Sequence, residues 1–559
     1  MTQAAILPGP ARAAVVAATA ADDTGFVNLA RAIARWREAL GEDCVRIDRL
    51  RGQYEANCIG IARSVPVVLR PRTESEVRAV MAIASACRVP IYPISTGNNW
   101  GYGSAVPVTD RCVVVDLSRM NRIVEFDAEL GLVTVEPGVT QGHLREHLDR
   151  HGLQFMVPVT GAGPTCSLVG NALERGYGIT PHADHFAAVR SLRAVLANGE
   201  VYCSALTEAG APIVDGGHKW GLGPYLDGLY SQGGFGIVTQ MTIALAPVPE
   251  AMEAFLVEID DDAALDGVVA EVRDLLQTNG GGLSGINLMN RLRVMSMFHP
   301  YPHGQVAPRS AIPAELVERL GRESRLPSWL GVGAVYGDRE VVAGLHKAVH
   351  RRLGRHARRL RFVSQPALQT ARRFAALAPA KMRARLNKQA EMATELLDIL
   401  SGRPRETAVR LAYWKNTCAP PQGVPLNPAR DGCGLIWFSP LVPMRATDVR
   451  TYLGIVEDIC PRYGIDPLVT LSSVSGQCFD STVPILYGPA SEADRGHACY
   501  DALFDACSAH GYLPYRLSLR SMHRFTDRSD SPYWRLVKTL KGAVDPDNLI
   551  APGRYAPAY

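Results

Sequence analysis

The stretch Tyr92-Pro93-Ile94-Ser95-Thr96-Gly97-Asn98-Asn99-Trp100-Gly101-Tyr102-Gly103 constrains this chain more than any other. An apolar run from Val89 to Ile94 ends there in three glycines within seven residues, mixed with Ser, Thr and two Asn. Glycine has no Cβ, so its backbone N–H groups can approach a bulky anion closely. Successive N–H groups in such a turn form an anion-binding concavity. The stretch therefore predicts a strand that ends in a cradle for a cofactor diphosphate. Tyr102, held between two glycines, is expected to point into the site beyond.

The surrounding segments predict alternating strands and helices. Val65 to Leu69 reads as a short strand, and Thr73-Glu-Ser-Glu76 has the form of a capping box at a helix start. Val77, Val80, Met81 and Ala84 are spaced to form that helix's buried face. Cys112 to Leu117, Ile123 to Phe126 and Leu132 to Glu136 read as strands, and Thr140 as the cap of a helix that Gly152 stops. Upstream, Phe26 to Leu40 has helical spacing through Phe26, Leu29, Ile33, Trp36 and Leu40. The mixture is an α+β pattern.

Six segments in order around the glycine-rich stretch carry a more specific signal: its flanks VVLRPRTESEVRAVMAIA and VVVDLSRMNRIVEFD, then LVTVEPGVTQGHLREHL, GNALERGYGITPHADHF, GPYLDGLYSQGGFGIVT and AVDPDNLIAPGR. Together they resemble the vanillyl-alcohol oxidase and p-cresol methylhydroxylase flavoprotein family, over roughly residues 60–248 and 500–559. The resemblance implies a two-lobed FAD-binding domain and an α+β cap domain over the substrate. The expected division is a flexible tail at 1–25, FAD binding at 26–248, a cap at 249–499 and a return to the FAD domain at 500–559.

Residue by residue, the resemblance implies Ser95, Gly97, Asn98, Gly101 and Gly103 as ligands of the FAD diphosphate. Gly170, Asn171, Gly176 and Gly178 would let the flavin lie against the chain, and Asp184 would accept from a cofactor hydroxyl. Gly236, Ile237 and Val238 would meet the adenine side, while Asn548 and Arg554 would close over the flavin. An Arg in that place stabilises negative charge on the reduced ring. Tyr102, Tyr515 and Arg516 match the two Tyr and one Arg with which relatives hold a phenolate, lowering the phenol's pKa. The implied reaction is hydride removal from a para-substituted phenol, with reoxidation by O2 or another electron acceptor. Two alternatives stand beside it: a biosynthetic oxidase acting on a non-phenolic or carrier-bound substrate, and a flavin-binding protein without turnover.

Departures from the family pattern are informative. Its covalent attachment positions hold Asn98 and Asn99 in the first loop and Gly434 and Leu435 before Phe438-Ser439-Pro440. Cys166 lies three residues beyond the place where relatives carry an attaching Cys and reads as a buried free thiol. Non-covalent FAD is expected. Ala162 falls near the position of a family Asp, and Gln477 to Ser481 replaces a segment with two histidines. Asp480 and His523 are left as candidate polar groups, with no general base assigned.

Composition adds bounds. The 559 residues carry a net charge of only +4, with no metal-ligand cluster and no apolar run long enough for a membrane span. Twelve scattered cysteines without a CxxC pair favour a reducing cytoplasm. From Val341 to Ala390 there are thirteen Lys or Arg and no Asp or Glu. That stretch reads either as a solvated helical face or as a docking surface for an acidic protein, and no recognition module suggests nucleic acid. A homodimer is the expected assembly.

Overall fold

A computed structural model describes residues 27–376, 379–417, 419–488, 492–528 and 530–557. The expected flexible tail lies outside the described residues. Three sheets organise the chain. The first is four-stranded, in the order Val45–Arg46, Val68–Leu69, Val113–Asp116, Ile91–Ile94, with its last three strands parallel. The second is five-stranded and antiparallel, built from strands between Ile123 and Ala244. The third is an eight-stranded antiparallel sheet whose strands all lie between Ala251 and Tyr487.

Local chemistry sets the elements as expected. Thr73 accepts from the Glu76 backbone N–H at 3.2 Å and starts the helix Glu74–Cys87. The reciprocal half of the capping box differs: the Glu76 carboxylate reaches the N–H of Arg72 instead of Thr73. Val77, Val80, Met81 and Ala84 are fully buried against the four-stranded sheet's core. Trp36, on the helix spanning 27–40, is buried in the same core and donates to Val80 O at 3.2 Å. Thr140 caps Gln141–Arg150, and Gly152 follows it at φ +65°.

One expected boundary needs correction. The segment from 500 does not return whole to the first lobe, because the boundary cuts the helix Ala493–Ala509. Cys499, Tyr500, Leu503 and Phe504 on that helix pack into the core of the eight-stranded sheet. The chain rejoins the first sheet only at Ile550, which bridges Ile91 in parallel. The basic stretch also divides. Arg352, Arg355, Arg358 and Arg361 are ion-paired with Glu271, Glu258 and Asp260, acids that lie outside the stretch in sequence. Of the rest, Lys347 and Arg351 lie on the helix Arg339–Leu353, Arg359 lies on the strand Arg359–Val363, and the others fall on the packed helices Gln365–Ala376 and Ala380–Leu400, where Arg373, Lys381, Arg385 and Lys388 are exposed.

Candidate active site

The loop after Ile91–Ile94 leaves the carboxyl end of a parallel strand, the place where open α/β sheets bind ligands. Residues 92–100 line one side of a cavity of about 1440 Å³, together with 159–162, 166–167 and 169–171. A single drug-sized ligand fills roughly 300–1,000 Å³, so there is room for a large cofactor and a second molecule. The loop side offers backbone amides and the hydroxyls of Ser95, Thr96, Thr160 and Ser167 without a carboxylate among them, which suits a diphosphate. Ser104, further along the same loop, lines the cavity with its hydroxyl buried and unpartnered. These residues fit the FAD that the sequence implies.

Of the residues singled out for FAD, Ser95, Gly97, Asn98, Gly170, Asn171, Gly176, Gly178, Gly236, Val238 and Arg554 line the cavity. Five do not, each for a visible reason. Gly101 and Gly103 are packing glycines at φ +77° and +143°. A Cβ on Gly101 would sit 2.4 Å from Trp437 Cδ1, and one on Gly103 would sit 2.4 Å from Leu519 Cδ1. Ile237 is fully buried within the strand Ile237–Ala244. Asp184 is exposed and accepts from Ala187 N at 2.9 Å. Asn548 sits in a turn at φ +48° that is ordered from behind by a buried lysine. That lysine, Lys541, donates to Gly234 O, Ile550 O and Asp545, tying the Gly233 to Gly236 segment to the C-terminal turn.

The packing glycines bring three distant segments to one place. Trp437 N donates to Gly101 O at 3.1 Å, Leu519 N to Tyr102 O at 2.9 Å, and Tyr515 N to Ser439 O at 3.3 Å. Tyr102, Tyr515 and Arg516 are thereby gathered into the cavity, as the sequence implied. Tyr102 Oη and Ser439 Oγ are 2.9 Å apart, and when Ser439 donates, the Tyr102 proton is free for a ligand. Burial pushes the Tyr102 pKa up to about 12, so the hydroxyl keeps its proton at neutral pH. The Arg516 guanidinium lies over the Tyr102 ring, 4.2 Å from its centroid. Burial likewise raises the Tyr515 pKa well above its ordinary value.

Sequence reasoning passed over Glu174 and Tyr177, although both sit inside one of the quoted segments. Glu174 Oε2 accepts from Arg516 Nε at 3.2 Å, and its other oxygen pairs with Arg554. Arg516 also donates to Asn99, and Arg554 donates to Tyr92 Oη at 2.7 Å. Two guanidiniums thus share one carboxylate, and the buried Asp480 carboxyl also acts on Arg516. Tyr177 stands edge-on to Tyr515, with ring centroids 5.3 Å apart.

The two candidate polar groups separate. His523 is exposed on the short helix His523–Thr526. Asp480 is buried in the cavity wall, with Oδ1 unpartnered. Burial pushes its pKa up to about 7, against the opposing pull of Arg516. Ala162 and Cys166 also line the cavity, and burial raises the Cys166 thiol, which lowers its nucleophilic character.

Comparisons agree with this geometry. Residues 65–203 match the family described as FAD binding domain. The chain is 35% identical over 541 residues to the 1'-carboxy-chondrochloren decarboxylase of Chondromyces crocatus, covering 94% of this chain and 97% of that protein. It is 28% identical to the flavoprotein subunit of 4-cresol dehydrogenase (hydroxylating) from Pseudomonas putida, over 94% of this chain and 95% of that protein. The crystal structure of p-cresol methylhydroxylase with substrate bound superposes with a TM-score of 0.84 at 26% identity, covering 95% of this chain and 97% of the other. Among the described residues no helix is long and apolar enough to cross a membrane. With a two-lobed α+β architecture, an FAD-binding segment and full-length relatives, the chain belongs to the vanillyl-alcohol oxidase and p-cresol methylhydroxylase family of FAD-dependent oxidoreductases.

Proposed function

We propose that the protein oxidises a para-substituted phenol at the carbon attached to the ring, with Tyr102, Tyr515 and Arg516 holding the phenolic oxygen. Bound FAD supplies the acceptor for the hydride. The observation that carries the reading is the pair of guanidiniums, Arg516 and Arg554, sharing the single Glu174 carboxylate beside tyrosine hydroxyls that keep their protons. Such a cluster favours an anionic oxygen over a neutral one. Asp480 is the proposed acceptor of the phenol's proton, since its charge acts on Tyr102, Tyr177 and Tyr515. FAD is proposed to lie along Ser95, Gly97, Asn98, Gly170, Asn171, Gly176 and Gly178, with Gly236 and Val238 at its adenine end and Arg554 near the flavin. Its attachment is proposed to be non-covalent, because Asn98 hydrogen-bonds Thr165 at 2.7 Å and Asn99 pairs with Arg516. A reducing cytoplasmic setting fits the eleven unpaired cysteines among the described residues.

The 35% identity with a decarboxylase favours a second reading of the same site. Removal of hydride from the ring-attached carbon leaves a quinone methide of the substrate. If the next carbon bears a carboxylate, the bond to CO2 breaks and its electron pair forms a new C=C, restoring the phenolate. That sequence consumes no proton acceptor at the Ala162 position.

Anaerobic mixing of the holoenzyme with 4-alkylphenols tests the first reading, and bleaching of the oxidised flavin band is expected. Arg516→Ala should slow it by about ten- to a few-hundredfold, the scale of one hydrogen bond to a charged group. Arg516→Lys should recover only part, since a point charge cannot reproduce the planar fork. Unchanged flavin reduction per folded molecule in both variants would remove the phenolate pocket from the account. Carbon dioxide released stoichiometrically with bleaching from a carboxylated phenol would select the second reading.

A further inference from the structure

The cavity runs well past the phenol cluster, and its roof is the inner face of the eight-stranded sheet. Cross-strand partners place Arg361, Leu256, Val332, Asn287, Ser472 and Asp480 in one row across that face. Every member of the row lines the cavity. Neighbouring strands are about 4.8 Å apart, so Asn287 lies two strands, about 10 Å, from Asp480. Its side-chain oxygen is buried without a partner. Met289, two residues on, also lines the cavity, and the strand then turns at Asn290 into the helix Arg291–Phe298.

Arg293 sits in the first turn of that helix and lines the same cavity. Asn290 holds the turn by accepting from Arg293 N at 3.0 Å. The guanidinium makes one hydrogen bond, from Nη1 to Ser296 Oγ at 3.1 Å, and has no carboxylate partner among the described residues. Of the other cavity-lining arginines, Arg361 pairs with Glu258, Arg405 with Asp398, and Arg516 and Arg554 with Glu174, while Arg325 and Arg410 are exposed to water. Arg293 is half-buried, desolvation lowers its pKa to about 10, and no acid among the described residues offsets it, so the group still carries its charge at neutral pH. A charge partly withdrawn from water without a counter-ion is costly, and a ligand anion would relieve that cost.

We infer that Arg293, with Asn287 on the adjoining strand, recognises a carboxylate at the far end of an extended substrate whose reacting end lies at the phenol cluster. The inference rests on the phenol reading for the near end but not for the far one. A planar fork suits a carboxylate bidentately, and the free Asn287 oxygen would accept from an amide or hydroxyl in the tail. Small phenols would then occupy only part of the site.

The test uses isothermal titration of the holoenzyme with three probes: 4-alkylphenols ending in a carboxylate, the same compounds ending in a primary amide, and linear alkanoates without a phenol. For one range of chain lengths the carboxylate should bind about ten- to a hundredfold tighter than its amide. Arg293→Met should abolish that ratio while FAD content reports a folded protein, and Arg293→Lys should keep part of it. Should the amide-ended phenols fail to bind while alkanoates bind in an Arg293-dependent way, the phenol reading falls and this inference stands. A carboxylate preference that survives Arg293→Met, or no preference at any length, overturns the inference.

Discussion

Asp480 joins two consequences of one environment. Its carboxyl faces the cavity from the strand Cys478–Tyr487, and burial raises its pKa from the ordinary 3.8 to about 7. A folded-state pKa above the unfolded one means that the native state binds the proton more tightly. The associated stability is therefore complete below the unfolded value and is lost as pH rises through about 7. If Asp480 takes the phenol's proton, flavin reduction should instead increase with pH across the same range, because only the carboxylate can accept. Asp480→Asn should flatten both profiles between pH ~4 and ~7. It should slow reduction and raise thermal stability at pH ~8, where the wild-type protein buries a charge. Stopped-flow reduction and thermal melts across pH check the pair, and a wild-type-like pH–rate profile in the variant would exclude Asp480 as the acceptor.

The element that holds the cofactor lobe closed is the C-terminal turn after the helix Pro532–Val544. Lys541 and Asp545 are each about 1% exposed and pair at 2.5 Å. Asp545 also accepts from the backbone N–H groups of Leu549 and Ile550 at 2.9 and 2.8 Å. Lys541 spends its remaining donors on Gly234 O and Ile550 O, so one ammonium fastens two segments that border the FAD side of the cavity. Lys541→Met leaves Asp545 buried without its counter-charge, which costs about 3–5 kcal/mol when a buried pair is broken. A lower melting temperature with loss of FAD on gel filtration is the expected outcome. The double variant with Asp545→Asn should regain part of the stability. Full FAD retention by Lys541→Met would mean that the turn does not depend on this pair.

At the scale of the whole molecule, the residues proposed for FAD lie mostly on the loops at 92–104 and 159–178, while the proposed phenol cluster joins Tyr102 of the first loop to Tyr515, Arg516 and Asp480. Gly101 and Gly103 let Trp437, on the strand Gly434–Phe438, and Leu519, in a turn near Arg516, pack against the first loop. None of the attachment positions carries a group suited to a flavin bond, and the Cys166 thiol is held up by burial. Acid precipitation of the holoprotein should therefore release all the yellow colour into the supernatant. Flavin retained in the pellet would reveal a covalent link.

Local sequence determined the elements and the glycine-rich loop after its strand, while FAD was implied through the resemblance. Capping residues such as Thr73 and Thr140 act within one helical turn, and the loop Ser95 to Asn99 follows its strand directly, so their roles are written in neighbouring residues. Tyr102, Tyr515 and Arg516 were legible as a set only through the resemblance, because nothing local joins positions so far apart. Tertiary structure alone decided what the glycines at 101 and 103 are for, since the side chains that need the space belong to residues 437 and 519. It also decided that Glu174 serves two arginines, that Asp480 rather than His523 enters the cavity, and that Arg293 has no carboxylate partner among the described residues. Charge pairing and burial depend on which distant strands lie side by side, and that register is a property of the folded sheet.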